Sequence, residues 1–297
     1  MFFAFRHRSE KSLRIKTKKL LLEKNILFFD KLKVQTSLIS STVFYFYTMA
    51  KIIITGGTGL VGRRLTEFLV NRNHEVRILS RNPKAQYEYK WDLSTNEIDE
   101  KSLLDIEYIV HLAGAGIAEK RWTAERKKVI IDSRVDSANL LFSKIKELKI
   151  PLKGFISASG SNFYGAKTAD TIYKETDKAG TDFLGDVCLQ WEKAAAQFES
   201  LNVPVTILRT GIILSQTGGA LEKMKTPIVS PLGSGKQYLS WIHIDDVCQM
   251  YINAIETNLS GIYNAVAPEF HTSRSFSKLL AQKIRRPYLP ISVPESY

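Results

Sequence analysis

Thr55-Gly56-Gly57-Thr58-Gly59-Leu60-Val61-Gly62 follows a short, β-branched apolar run, Lys51–Thr55. It precedes a segment, Leu60–Asn71, that places Leu60, Val61, Leu65, Phe68 and Leu69 on one helical face. Strand, glycine turn and helix in that order make a phosphate-binding turn. Gly56 serves the tight turn, Gly59 lets a diphosphate approach the main chain, and Gly62 lets helix and strand pack closely. Unpaired amides and the positive end of the helix dipole then face the phosphates. The turn, with Thr58, Leu60 and Val61, is therefore the first candidate dinucleotide site.

Reading outward, strands and helices alternate. Glu75–Ser80 reads as a second strand and Tyr108–Leu112 as a third. Thr123–Leu148 reads as a long helix with apolar Val129, Ile130, Leu140, Leu141 and Ile145, and Gly154–Ser159 and Val205–Arg209 as further strands. Pro151 and Pro204 mark the helix exits before them. Such alternation predicts an α/β fold, a doubly wound parallel Rossmann sheet with a small C-terminal substrate lobe. Beyond Arg209 the glycines and prolines break the pattern into loops and short elements. The expected organisation is a basic tail over 1–48, a dinucleotide-binding domain over 49–209, and 210–297 mostly as the lobe, with an element returning to the sheet. A cleft between lobe and sheet is the expected small-molecule site.

Composition narrows the function classes. The chain has 297 residues, 44% hydrophobic and 24% charged, with a formal net charge of +12. Residues 1–48 hold 10 Lys/Arg against 3 Asp/Glu, a net of +7, which leaves +5 for the remaining chain. That residue of charge is too small and too scattered for a nucleic-acid partner. No apolar run is long enough to span a membrane. Cys188 and Cys248 show no metal-binding spacing, and the five histidines form no ligand pair, so no metal is expected. This cysteine usage fits a reducing compartment, with the cytoplasm as the expected location. Met49, directly before the first strand, reads as the true start. The residues before it read as upstream sequence, a disordered tail or a basic targeting segment. Oligomeric state is not legible.

The tip of the second strand sets cofactor preference. An acidic residue there binds the ribose 2′-hydroxyl, whereas this chain has Ser80-Arg81, a hydroxyl and a guanidinium suited to a 2′-phosphate. NADP(H) is the expected cofactor.

With those residues in view, the chain resembles the extended short-chain dehydrogenase/reductase superfamily from Met49 to the C-terminus. Trp91-Asp92-Leu93 looks like its Asp-Leu motif, whose aspartate meets the adenine amino group. Val110-His111-Leu112-Ala113-Gly114 is similar to its cofactor-lining strand. Trp241-Ile242-His243-Ile244-Asp245-Asp246-Val247 looks like a further signature. Ser80-Arg81, Arg121-Trp122, Asp132-Ser133-Arg134, Trp191-Glu192-Lys193-Ala194-Ala195 and Pro231-Leu232-Gly233-Ser234-Gly235 resemble its atypical branch of epimerase-family proteins. The resemblance implies that Ser80, Arg81, Leu112, Ala113 and Arg134 touch NADP. It also implies further helices beyond Tyr297, and so an incomplete substrate lobe.

The departure from that family is in the chemistry. Its members use Tyr-x-x-x-Lys as a proton-transfer pair on one helix face. Here Leu184 and Cys188 occupy the matching positions, and Ser133 that of the usual asparagine. Ser159, in Ser157-Ala158-Ser159-Gly160-Ser161, is the remaining catalytic candidate. His243, Asp245 and Asp246 are expected to pack and cap, Lys120–Lys128 to form a solvated or anion-attracting wall, and Pro227–Gln237 to close over substrate. Two functions compete: an NADP(H)-dependent oxidoreductase or epimerase acting on a small polar, sugar-like molecule, or a non-catalytic NADP(H)-binding sensor.

Overall fold

The computed structural model describes residues 49–166 and 171–291. The readings placed on 1–48 and on 292–297 lie outside them. In chain order the elements are β1 (Lys51–Thr55), α1 (Leu60–Val70), β2 (Glu75–Ser80), β3 (Glu88–Asp92), β4 (Glu97–Ile98) and β5 (Tyr108–His111). Next come α2 (Ala124–Glu147), β6 (Gly154–Gly160), α3 (Phe183–Ala196), β7 (Val205–Thr210), β8 (Ile212–Ser215), β9 (Gly218–Gly219) and α4 (Ala220–Met224). The last are β10 (Tyr238–Leu239), β11 (Trp241–His243), α5 (Ile244–Glu256), β12 (Gly261–Ala265), β13 (His271–Thr272) and α6 (Ser273–Lys283).

The main sheet has eight strands in the order β12-β7-β6-β5-β1-β2-β3-β4. Every pairing in it is parallel except β3 with β4. The alternating side chains of β1 explain its two-sided burial. Ile52 and Ile54 face one core with Leu65 and Leu69 of α1 and Val247, Tyr251 and Ile252 of α5. Ile53 faces the other with Leu140, Leu141 and Ile145 of α2. Each fully buried aliphatic side chain contributes about 1.5–3 kcal/mol, so these faces hold the helices in place.

Three details correct the sequence reading. A strand, β3, lies between the second and third read from periodicity, where only the resemblance, with its Asp-Leu motif after a third strand, had implied one. Only Trp91 of its Glu-Tyr-Lys-Trp-Asp is buried, so its apolar signal is weak. Val129 of α2 is 47% exposed, because a helix turns about 100° from it to the buried Ile130. The prolines and apolar residues of Pro287–Val293 also lead the sequence to predict a strand there, but none forms over its described part, where Tyr288 makes an isolated bridge to Val229.

The remaining short elements form a three-stranded sheet, β11-β8-β9, and the β10-β13 pair. They pack around Leu214, Val229, Phe276, Leu280 and Ala281. Between these two sheets the chain returns to the large one through α5 and β12. His243 caps α5, its Nδ1 accepting from the Asp245 amide at 3.2 Å. Asp245 in turn accepts from Arg64 Nε of α1 at 2.7 Å. The expected packing role of that motif is thus visible in its contacts.

The chain runs from β1 to β2 on one side, whereas β5 sits on the other. That reversal of strand order opens a crevice at the carboxyl ends of β1 and β5. Thr55 closes its floor: the buried Oγ1 accepts from both the Leu112 and Ala113 amides at 3.1 Å. Thr55→Val keeps the shape and strands the Ala113 amide, while the Leu112 amide keeps the Thr55 carbonyl at 3.2 Å. Equilibrium urea unfolding should show a loss of about 1–3 kcal/mol. An unchanged midpoint would mean that the Ala113 amide does not need Thr55.

Candidate functional site

Gly56 leaves β1 with φ +67, and a Cβ there would lie 2.8 Å from the Leu112 carbonyl oxygen. A Cβ on Gly62 would lie 2.4 Å from the Gly56 oxygen. Both positions need glycine, the first for conformation and the second for contact. Helix α1 begins with Gly59 as its N-cap, no side-chain cap, and no acidic residue in its first turn. Its amino end is therefore not shielded by the chain's own carboxylates, which suits an anion.

A cavity of about 480 Å³ opens beside this turn. The expected residues Gly56, Gly59, Leu60, Val61 and Gly62 line one side, and Leu112, Gly114, Arg134 and Ser159 another. Thr58 is exposed beside the turn, and Ala113 is buried behind its neighbours. Ser80 and Arg81 stand at the tip of β2, the strand next to β1, with Arg81 exposed. Asp92 ends β3, where its Oδ1 accepts from the Ser94 amide at 3.0 Å and the Ser94 hydroxyl at 2.7 Å. Those hydrogen bonds hold its carboxyl below the usual carboxylate range. Residues 227–237 do not line the cavity. They are fastened to α6 instead, through the Leu232 amide to Ser273 Oγ at 2.9 Å and the Arg274 amide to the Gly235 oxygen at 2.9 Å. That fastening corrects the expectation of a loop closing over substrate.

Lys90 is a cation that the sequence reading missed. It pairs in register with Ser80, and its Nζ donates to the Arg81 carbonyl at 3.0 Å. Counting strand positions from Ser80 would have found it, had β3 been recognised.

Behind the wall, His111 is wholly buried. Trp191 Nε1 donates to His111 Nδ1 at 3.2 Å, so the proton sits on Nε2, which faces the Ser137 hydroxyl at 2.8 Å. Burial, with the nearby Arg134 charge, pushes the imidazole down to about 3. Arg134 is itself buried. Its guanidinium lies 4.8 Å from the Trp191 ring centroid, and Nη1 donates to the Ala115 and Ile130 oxygens at 3.1 and 2.8 Å. Among the described residues, no carboxylate is hydrogen-bonded to it and Nε has no partner. Ser133 accepts from the Ala115 amide at 2.9 Å, so the residue replacing the usual asparagine holds the cavity wall.

Ser159 is tied into a second buried cluster. Its hydroxyl donates to Glu192 Oε1 at 2.7 Å. Arg209 grips both oxygens of that carboxylate, from Nε at 2.9 Å and Nη2 at 2.8 Å. Arg209 Nη1 also donates to Tyr164 Oη and the Glu175 carbonyl, each at 3.0 Å, and Tyr164 donates to Asn264 Oδ1 at 2.7 Å. The cluster therefore joins β6, α3, β7 and β12. An arginine ending the apolar run Val205–Leu208 was the available signal of a buried ion pair.

Leu184 and Cys188 both line the cavity from α3, one turn apart. Burial pushes the Cys188 thiol up, so it stays protonated. Cys248 is buried as well, and its thiol is pushed up to about 12. Among the described residues, no group of three His, Cys, Asp or Glu is placed to hold a metal ion, and no helix is long and apolar enough to cross a membrane.

A model of the NAD-dependent epimerase/dehydratase family matches residues 52–183. An epimerase family protein of Mycobacterium bovis is 34% identical over 252 residues, covering 82% of each chain. The chain belongs to this family. Another epimerase family protein, from Staphylococcus aureus, is 36% identical over 253 residues, covering 81% of this chain and 82% of its own. Among solved structures, the human epimerase family protein SDR39U1 with NADPH aligns at a TM-score of 0.74 and 29% identity, over 82% of this chain and 83% of that one. A nucleoside-diphosphate sugar epimerase from Corynebacterium glutamicum aligns at 0.69 and 32% identity, over 82% of this chain and 53% of that one. The site of this epimerase-family chain thus sits on an NAD(P)-binding fold.

Two consequences are measurable. Unfolded, His111 takes up a proton near its ordinary value of 6.5, but folded only at about 3. Between those values the unfolded chain holds more protons, so acid costs stability, by about 1.4 kcal/mol per pH unit from this group. His74, also pushed down by burial, acts in the same direction. Replacing His111 with Gln should flatten the fall in unfolding free energy between about pH 6 and pH 5. An identical slope in both proteins rules the assignment out. Separately, Glu192→Gln strands the buried Arg209 charge and should cost about 3–5 kcal/mol, with Glu192→Gln/Arg209→Met recovering part of it.

Proposed function

We propose that this epimerase-family chain binds NADP(H) in the cavity and uses it in hydride chemistry on a small molecule. The observation that carries the reading is the cavity shared by the glycine-rich turn at Gly56–Gly62 and the buried Arg134, which has no carboxylate partner among the described residues. Such a site suits a ligand with several negative charges. The amides of the turn would hold the diphosphate, and Ser80, Arg81 and Lys90 the 2′-phosphate. Asp92 would meet the adenine, while Leu112, Ala113 and Gly114 support the nicotinamide end. When bound, the nicotinamide supplies or accepts the hydride. NADPH in the human relative, a structure at 29% identity, supports the same cofactor here.

In this reading residues 49–209 serve the cofactor, and residues from 210 onward form much of the substrate side, where Thr210, Gly211 and Ile213 line the cavity. Ser159, whose proton is committed to Glu192, would offer its remaining lone pairs to substrate as an acceptor. Leu184 and Cys188 at the proton-transfer positions favour the second reading, an NADP(H) sensor without turnover.

Calorimetry with NADPH and NADH tests the cofactor, and a metabolite screen following NADPH oxidation separates the two readings. Arg81→Ala should weaken NADPH by roughly tenfold and leave NADH unchanged, as expected for one exposed charge-assisted contact. Equal loss for both would remove Arg81 from the 2′-phosphate site. Affinity for neither nucleotide would overturn the proposal.

A further inference from the structure

Beside Leu184 and Cys188, the cavity is closed by Val187 and Trp191 of α3, Ile213 of β8 and Val247 of α5. Its inner surface is therefore mostly aliphatic and aromatic. Its polar lining is Arg134, Ser159, Asn162, Thr210 and Tyr251, and an amide such as Asn162 is not a proton donor for general acid catalysis. The Ser159 proton goes to a carboxylate already gripped by Arg209, and Tyr251 is 1% exposed. Burial pushes both the Tyr251 phenol and the Cys188 thiol up. Arg134 keeps its protons, with a value of about 10. Among the described residues lining the cavity, none exchanges a proton readily near neutral pH.

Hydride delivery to a saturated ketone leaves a strongly basic alkoxide, and hydride removal from a secondary alcohol must shed a proton. Both reactions need a general acid or base at the oxygen. Delivery to an electron-poor conjugated carbonyl does not, because the product anion is delocalised and can take its proton from water.

We infer that the substrate is a flat, electron-poor conjugated carbonyl compound of the quinone kind, seated against Leu184, Val187 and Trp191. The inference rests on the cofactor reading above. The balance closes. One C–H bond of the reduced nicotinamide breaks, and its hydrogen and two electrons form an O–H bond at one quinone carbonyl. The nicotinamide is oxidised by two electrons and the quinone is reduced by two. The resulting hydroquinone monoanion takes one proton from solvent.

Tetramethyl-para-benzoquinone is a suitable probe, because its fully substituted ring cannot alkylate Cys188. Titrated into the protein without nucleotide, it should quench tryptophan emission saturably, since Trp191 lines the cavity. With NADPH added it should be reduced, at a maximal rate that changes less than about twofold between about pH 6 and pH 9. Leu184→Asn should raise the quinone Kd, read from tryptophan quenching without nucleotide, roughly tenfold. Calorimetric NADPH binding without quinone quenching or reduction overturns this inference and leaves the cofactor reading standing. So does turnover of a saturated ketone or nucleotide sugar with a bell-shaped pH profile. Quinone quenching without any NADPH affinity overturns the cofactor reading instead, and with it the hydride step.

Discussion

The main chain of Gly56 passes so close to Leu112 that no Cβ fits between them, and the rest of the site follows from that approach. It occurs where strand order reverses, so the chain leaves β1 and β5 toward helices on opposite faces of the sheet and a crevice opens beyond their carboxyl ends. Thr55 fixes the separation by accepting two amides from the far strand. Gly62 lets α1 start directly over the turn, which aims its amino end into the crevice. Remove the close approach, and neither the anion cradle nor the wall of Leu112 to Gly114 would face the same space.

Two buried polar clusters then hold the remaining walls. Through Arg134, Trp191, His111 and Ser137, α2 and α3 are locked to the end of β5. Ser159, Glu192 and Arg209 do the same for β6, α3 and β7. In a low-dielectric interior such groups tolerate few arrangements, because each unpartnered donor or charge is costly. The Nε of Arg134 is one such donor, buried and without a partner among the described residues.

Much of the fold was legible from periodicity. The strand–turn–helix unit over residues 51–70 and the long helix from 124 each carried an apolar pattern that burial reproduces. β3 was not legible, since near the sheet margin only Trp91 needs to be buried. Its absence from the reading concealed Lys90, because cross-strand neighbours follow from register rather than from distance along the chain. The 227–237 segment misled for a related reason. Glycine and proline mark a loop, but not what the loop packs against.

From the sequence alone came the strand–turn–helix unit and the Ser80-Arg81 tip, since each is a property of neighbouring residues and their chemistry, while the place of Leu184 and Cys188 came only through the family resemblance. Tertiary structure alone decided that the Ser159 hydroxyl is bound to Glu192, that His111 is a neutral strut, and that the cavity beside Cys188 is mostly apolar. The partners in those contacts lie 33 and 80 residues apart along the chain, and only packing of the helices onto the sheet brings them together.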